Sequence, residues 1–299
     1  MGSILNPLYT AVSWVIITIH GLLSPIFGSA SGVTWSLSII GLVVLIRVIL
    51  IPLFVKQIKS QRALTALQPQ MKAIQAKYKD DRQKQSEEMM KLYKEHKTNP
   101  LASCFPILAQ APIFFALFTV LNGISQNRPH GLLKGEYLIS AQQASFFGAP
   151  LSGTFLGSSD GITKIISIVL IIFMSATTFT TQRQLMVKGM PKMDSSNNMM
   201  LQQQKIMLYL FPVIFAVTGV NFPVGVLIYW STTNLWTWGQ QYYVIKRNPT
   251  PGSPAYEELQ RKKIEKGVIP NPNEATSGDT ALEEPKGQRK QPKKKKKKR

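Results

Sequence analysis

One cysteine, three histidines and 15 acidic residues among 299 leave little material for several kinds of chemistry. Cys104 has no intramolecular disulfide partner, and with the scattered His20, His96 and His130 it builds no Cys/His zinc cluster. Those histidines fall in the N-terminal segment, at the end of a polar hairpin and in a later loop, so no Ser/His/Asp or Cys/His constellation can be assembled. No glycine-rich loop ends in Gly-Lys-Ser/Thr, the pattern that cradles phosphates. The long apolar stretches hold no carboxylate, which removes the usual element of proton-coupled transport. These absences exclude an energised pump and a hydrolase. The expectation is a chain that is no enzyme and needs no cofactor or metal.

Charge is also scarce, 17% of residues against about 25% in globular proteins, yet the net charge is +20. The charge must therefore be concentrated, and the gaps between its clusters are apolar. Residues 35–55 (WSLSIIGLVVLIRVILIPLFV) are long enough to cross a hydrocarbon core about 30 Å thick. Further runs at about 104–123, 162–181, 206–220 and 223–243 predict five spans in all, the fourth short and in need of local membrane thinning.

Lys and Arg stay on the cytoplasmic side. Segment 56–100 has 11 basic and 5 acidic residues, a net of +6; 124–161 is neutral; 182–205 is +3; the tail from 246 is +9. The alternation predicts a multi-pass protein of the inner (plasma) membrane, with the cytoplasmic loop 182–205 and the C-terminus inside and the loop 124–161 and the N-terminus outside. Residues 4–27 are apolar, but Asn6, Thr10, Ser13, His20 and Ser24 form one helical stripe. That pattern predicts an interfacial amphipathic helix on the outer face, within an N-terminal unit 1–33. A further span and a signal sequence are the alternatives.

Between the first two spans, residues 56–98 read as a cytoplasmic helical hairpin about Lys79-Asp80-Asp81. Leu64, Leu67, Met71, Ile74 and Tyr78 form a heptad seam, with Met89 and Leu92 opening the facing one. Pro69 should bend or divide the first helix.

Arg47 falls near the middle of the first span, where a guanidinium costs about 2.5 to 3.5 kcal/mol on insertion scales. It either faces a hydrated cavity or snorkels towards Lys56, over about 9 to 13 Å. That distance strains an arginine, so a cavity is favoured. Gln110, the threonines 177–181 with Gln182, and Ser231 to Asn234 are polar lining candidates, although Ser and Thr also cross-link membrane helices. Trp230, Trp236 and Trp238 suit packing or the interface belt, and Trp230 is also counted with the groove.

Asn99-Pro100 with Cys104-Phe105-Pro106, Gln110, Pro112-Ile113-Phe114 and Ala116-Leu117 form the most distinctive stretch. Leu67-Gln68-Pro69-Gln70-Met71-Lys72, Met207 to Phe215, and Phe222-Pro223 with Gly225, Tyr229, Asn234 and Leu235 agree with it. Over residues 35–245 the chain resembles the YidC/Oxa/Alb membrane-protein insertases. The resemblance implies an all-α integral membrane protein: a core, 34–245, of five transmembrane helices around a positively charged polar groove open to cytoplasm and lipid, plus the cytoplasmic hairpin. It implies insertion and folding of nascent membrane proteins without ATP, alone or with the Sec translocon. Arg47, Gln110, Gln182, Tyr229, Trp230 and Asn234 are then the groove candidates. Phe114, Phe115, Phe118, Phe211 and Phe215 are the candidate client-contact surface. The chain resembles the shorter form, without a large extracytoplasmic domain or a lipobox cysteine, and is expected to be monomeric. Its outer loop, 124–161, is longer than the resemblance leads one to expect.

The tail 246–299 has a disordered composition and ends in Lys293, Lys294, Lys295, Lys296, Lys297, Lys298 and Arg299. Such a run suits the ribosome through its rRNA phosphates, or anionic lipids. A polar-groove channel or transporter and a non-catalytic assembly scaffold are the competing readings of the whole.

Overall fold

The computed structural model describes residues 2–96, 98–99, 105–190 and 198–270. The chain divides into two compact units, Met1–Glu258 and Leu259–Arg299. The first holds α1 (Gly2–Phe27), α2 (Gly32–Ile49), α3 (Ile51–Ala66), α4 (Gln68–Lys77), α5 (Arg82–Glu95), α6 (Phe105–Ser125), α7 (Glu136–Gln143), α8 (Gly161–Gln184), α9 (Asn198–Gly219) and α10 (Val224–Arg247). A two-stranded antiparallel hairpin, β1 (Ser145–Phe146) and β2 (Ala149–Pro150), lies between α7 and α8. In the second unit the described residues hold the end of α11 (Pro254–Glu265), with Arg261 and Glu265 paired at 3.6 Å.

Three stretches among the described residues are long and apolar enough to cross a membrane: Leu5–Phe27, Gly32–Ile49 and Gly161–Gly189. The apolar parts of α6 (Gln110–Ser125) and α9 (Lys205–Gly219) are shorter. α8 packs on α9 and α10, α2 on α1 and α10, and α6 on α1 and α10. α8 starts at Asp160, whose carboxylate accepts from the N–H groups of Ile162 and Thr163 and from the Thr163 hydroxyl. These donors, the Thr163 backbone first, hold the Asp160 carboxyl below its ordinary value.

The run expected at 35–55 is two helices. Pro52 has no N–H to give the Val48 carbonyl, and the chain breaks at Leu50, which caps α2. The polar hairpin is divided as well. α3 runs on to Ala66, and Leu67 precedes α4, whose first turn contains Pro69. α4 and α5 then pack side by side around the turn at 78–81, where Asp81 caps α5 by accepting from Lys84 N at 2.9 Å. Leu67 and Leu92 are buried, and the Tyr93 hydroxyl meets Met71 Sδ at 3.8 Å.

The connections poor in basic charge gather at one end of the bundle. Gly225 N donates to Leu151 O and Leu156 N to Val220 O, which ties the long loop to the α9–α10 turn. Ser140 Oγ donates to Ser29 O and in turn accepts from Trp35 Nε1. The core is densest at this loop end: Trp35, Ile39 and Leu42 of α2, Leu117, Val120 and Ile124 of α6, Val224 and Val226 of α10, and Leu133, Ala141, Ala149 and Leu151 of the loop are all buried. Gly32 is where α2 meets β1, and a Cβ there would overlap the Ser145 carbonyl.

The polar stripe of α1 faces protein for part of its length rather than water. Ser13 Oγ accepts from Leu132 N at 2.8 Å, and His20 Nε2 meets Ser29 O at 2.8 Å with its ring 4.3 Å from Trp35. A polar stripe satisfies loop backbone as readily as it satisfies solvent, and periodicity cannot separate the two. Near Tyr9, partial burial and then Arg128 hold the His130 imidazole below its ordinary value.

Candidate functional site

Burial along α2 ends at Val43, and along α10 it lapses after Ser231 until Ile245. From there to the opposite end the helices are less closely packed, and this is where Arg47 lies. The break at Leu50 puts Arg47 in the last turn of α2 rather than mid-span. A cation there meets the negative end of the helix dipole, a favourable placement worth about 0.3 to 1 kcal/mol. The guanidinium carbon stands 5.6 Å from the Phe54 ring centre and lies within electrostatic range of the buried Tyr229. No carboxylate among the described residues pairs with it. The Tyr229 hydroxyl engages Thr233 one turn along α10.

The other polar candidates divide between two roles. Asn234 Nδ2 donates to Thr178 Oγ1 at 3.1 Å and Met174 O at 3.3 Å, which fastens α10 to α8. Thr177, Thr178, Thr180 and Thr181 donate back to carbonyls of their own helix. Gln182 is half-buried in the last turn of α8 and hydrogen-bonds none of the other candidates. Gln110 Oε1 and Ser231 Oγ are enclosed without a hydrogen-bond partner. The structure thus groups Arg47 with Tyr229, sets Asn234 with Thr178, and leaves Gln182 apart.

Trp230 is the hub of an aromatic cluster joining α6, α9 and α10. Its ring lies 5.5 Å from Phe114, 5.1 Å from Phe215 and 5.2 Å from Phe222, and Phe118 packs on Phe222 at 5.6 Å. Of the five phenylalanines considered as an outward surface, Phe115 (56% exposed) and Phe211 (39%) face outward; Phe114, Phe118 and Phe215 are half-buried in or beside this cluster. Lys293 to Arg299 lie outside the described residues.

Sequence reasoning missed the wall beyond Arg47. A cavity of about 530 Å³ separates α3 from the last turns of α10. Ile51, Phe54, Val55 and Ile58 line one side, Leu235, Trp236, Tyr243 and Val244 the other, with Gln240 and Asn248 at its polar points. The spacing 51, 54, 55, 58 is one helical face and was readable as such. The face is masked in the sequence because Ile51, Phe54 and Val55 close an apolar run while Ile58 falls among the polar residues of the hairpin segment.

The 60Kd inner membrane protein family matches residues 26–251. A membrane protein insertase YidC of Streptomyces avermitilis is 51% identical over 280 residues, which cover 89% of this chain and 65% of that protein. A membrane protein insertase YidC of Tropheryma whipplei is 38% identical over 281 residues, 88% of this chain and 90% of that one. The active YidC insertase crystal structure with the first transmembrane domain resolved aligns with a TM-score of 0.50 at 25% identity, over 78% of this chain and 46% of that chain. This chain therefore spans just under two thirds of the Streptomyces relative and less than half of the crystallised one.

Proposed function

This chain belongs to the family of 60Kd inner membrane proteins and YidC membrane protein insertases, and from that premise we propose that it carries nascent membrane proteins into the lipid bilayer of the inner membrane, without ATP and without covalent catalysis. It is a multi-pass membrane protein built on an all-α bundle, so the bilayer is its solvent. The observation that carries the reading is the position of Arg47: a cation in a membrane helix with no carboxylate partner among the described residues, placed where a tightly packed bundle gives way to a looser one.

Moving an apolar helix into lipid is downhill; the barrier is its polar flank. A bundle sealed at one end and open at the other shortens the dry path of that flank. Arg47 then attracts the acidic groups of the flank, while the enclosed Gln110 and Ser231 oxygens offer polar lining. The apolar walls of the α3–α10 cavity and the outward Phe115 and Phe211 suit the apolar part of the client.

In the same reading α2, α6, α8, α9 and α10 are the five spans, and the loop end faces outward, since the basic connections collect at the other. α1 runs along the loop from Tyr9 to His20 and lies at the outer interface. The basic tail engages the ribosome or anionic lipids, and the Sec translocon shares some clients. Vesicles containing only this protein, given a radiolabelled single-span client, should protect the translocated tail from protease. Solute leakage without insertion would instead mark a pore, and the absence of both would remove the proposal.

A further inference from the structure

The outer loop contains a local conflict that insertion does not use. Phe147 and Gly148 form the two-residue turn between β1 and β2, with φ of 49° and 87°. A turn with both residues at positive φ suits Asn-Gly. A phenylalanine there is in a region that L residues with bulky side chains rarely adopt. Packing within the chain does not account for it. The ring meets Phe146 edge-on at 4.6 Å, yet Phe147 is 78% exposed, more than any other large hydrophobic residue among the described ones.

Its surroundings say what covers it. No charged residue occurs from Tyr137 to Ser159. Gly148 lies against the first turn of α8, where a Cβ would stand 3.4 Å from Ile162 Cγ2. Ile162 begins an exposed apolar stripe that continues through Ile165, Val169 and Ile172 along α8. Asp160 and Lys164, both exposed, bracket that first turn and mark the depth at which the helix leaves the polar zone. Phe147 therefore extends the lipid-facing side of α8 at the level where aromatic side chains favour the membrane boundary.

We propose that the Ser145–Pro150 hairpin is a membrane anchor, its Phe147 ring seated in the lipid surface of the outer leaflet. The partner is lipid rather than protein. Because β1 rests on Gly32 of α2, the anchor sets the depth of the closed end of the bundle. This accounts for the length of the loop, and it depends on the membrane orientation proposed above but not on insertase activity.

The test uses the full chain carrying Cys104→Ser and Phe147→Cys, labelled with the environment-sensitive dye NBD, in phosphatidylcholine–phosphatidylglycerol vesicles; Lys134→Cys is the aqueous comparison. At position 147 the emission should shift to the blue, lose most of its intensity to lipids bearing a headgroup-proximal nitroxide, and resist iodide. Position 134 should show the reverse. Iodide quenching at 147 equal to that at 134 would overturn the proposal, and so would protection from both quenchers, which would mean a protein covers the turn. Should the labelled variant fail to fold, the unaltered chain is irradiated in vesicles with a lipid carrying a diazirine near its headgroup. Adducts on the peptide containing Phe147 support the anchor, and their absence refutes it.

Discussion

Replacing Arg47 with alanine tests the electrostatic half of the mechanism. A client carboxylate 4 Å from the guanidinium gains about 4 kcal/mol at an effective dielectric near 20, and about 1 kcal/mol in water. Arg47 is half-buried at the end of α2, so about 2 kcal/mol is the reasonable figure, or about thirtyfold in insertion rate. The substitution also removes the stacking on Phe54 and the favourable placement at the helix end. Those losses affect all clients alike, which is why the comparison must be between tails. With purified protein in vesicles, Arg47→Ala should slow a client with an acidic translocated tail about thirtyfold relative to the parent. A neutral tail should slow by threefold or less, and Arg47→Lys, which keeps the charge, should retain most of the difference. Equal slowing of both tails, or none of either, would refute the attraction of acidic groups by Arg47.

Four further outcomes are expected. Asn234→Leu removes both hydrogen bonds that fasten α10 to α8 and should lower stability by about 1 kcal/mol, read as a fall in Tm in detergent, while Thr178→Val should cost less because one bond survives. Gly32→Ala sets a methyl group against the Ser145 carbonyl and should loosen the loop end, raising hydrogen exchange across 145–151 without altering α4 and α5; unchanged exchange would contradict the packing. His130 titrates below its ordinary 6.5, so the folded state binds fewer protons than the unfolded one. Its contribution is complete above that pH and is lost as pH falls through the lowered value. Tm should therefore decline from pH 7 towards pH 5, and His130→Asn should flatten that decline. Asp160 follows the same sign at lower pH, its contribution being lost below the usual 3.8, and Asp160→Asn, which keeps the cap, should be milder than Asp160→Ala.

The family and the fold class were legible in the sequence because they rest on patterns that need no partner. A 20-residue apolar run has no water-soluble alternative, and the stretch from Asn99 to Leu117 and that from Leu67 to Lys72 are local. Arg47 was equally visible, as the one basic residue of its run. What Arg47 faces was not. Pro52 withholds a donor from the Val48 carbonyl wherever its neighbours lie, but whether a helix ends at such a proline or only bends depends on tertiary surroundings, since membrane helices tolerate proline when neighbours satisfy the freed carbonyl. The Ser13–His20 stripe was read from periodicity, which reports that a face is polar but not whether water or the backbone of a distant loop satisfies it.

Composition and hydropathy by themselves determined the all-α membrane fold class, and they hold the alternation of basic and neutral connections on which the proposed topology rests. Each is a sum or a run over neighbouring residues. Tertiary structure alone decided that Asn234 hydrogen-bonds Thr178 and Met174 of α8, that Trp230 gathers Phe114 and Phe215 around its ring, and that Phe147 stands exposed on a turn whose Gly148 meets Ile162. Those outcomes depend on which helices approach within a few ångströms, and contacts between residues 15 to 120 positions apart leave no periodicity to read.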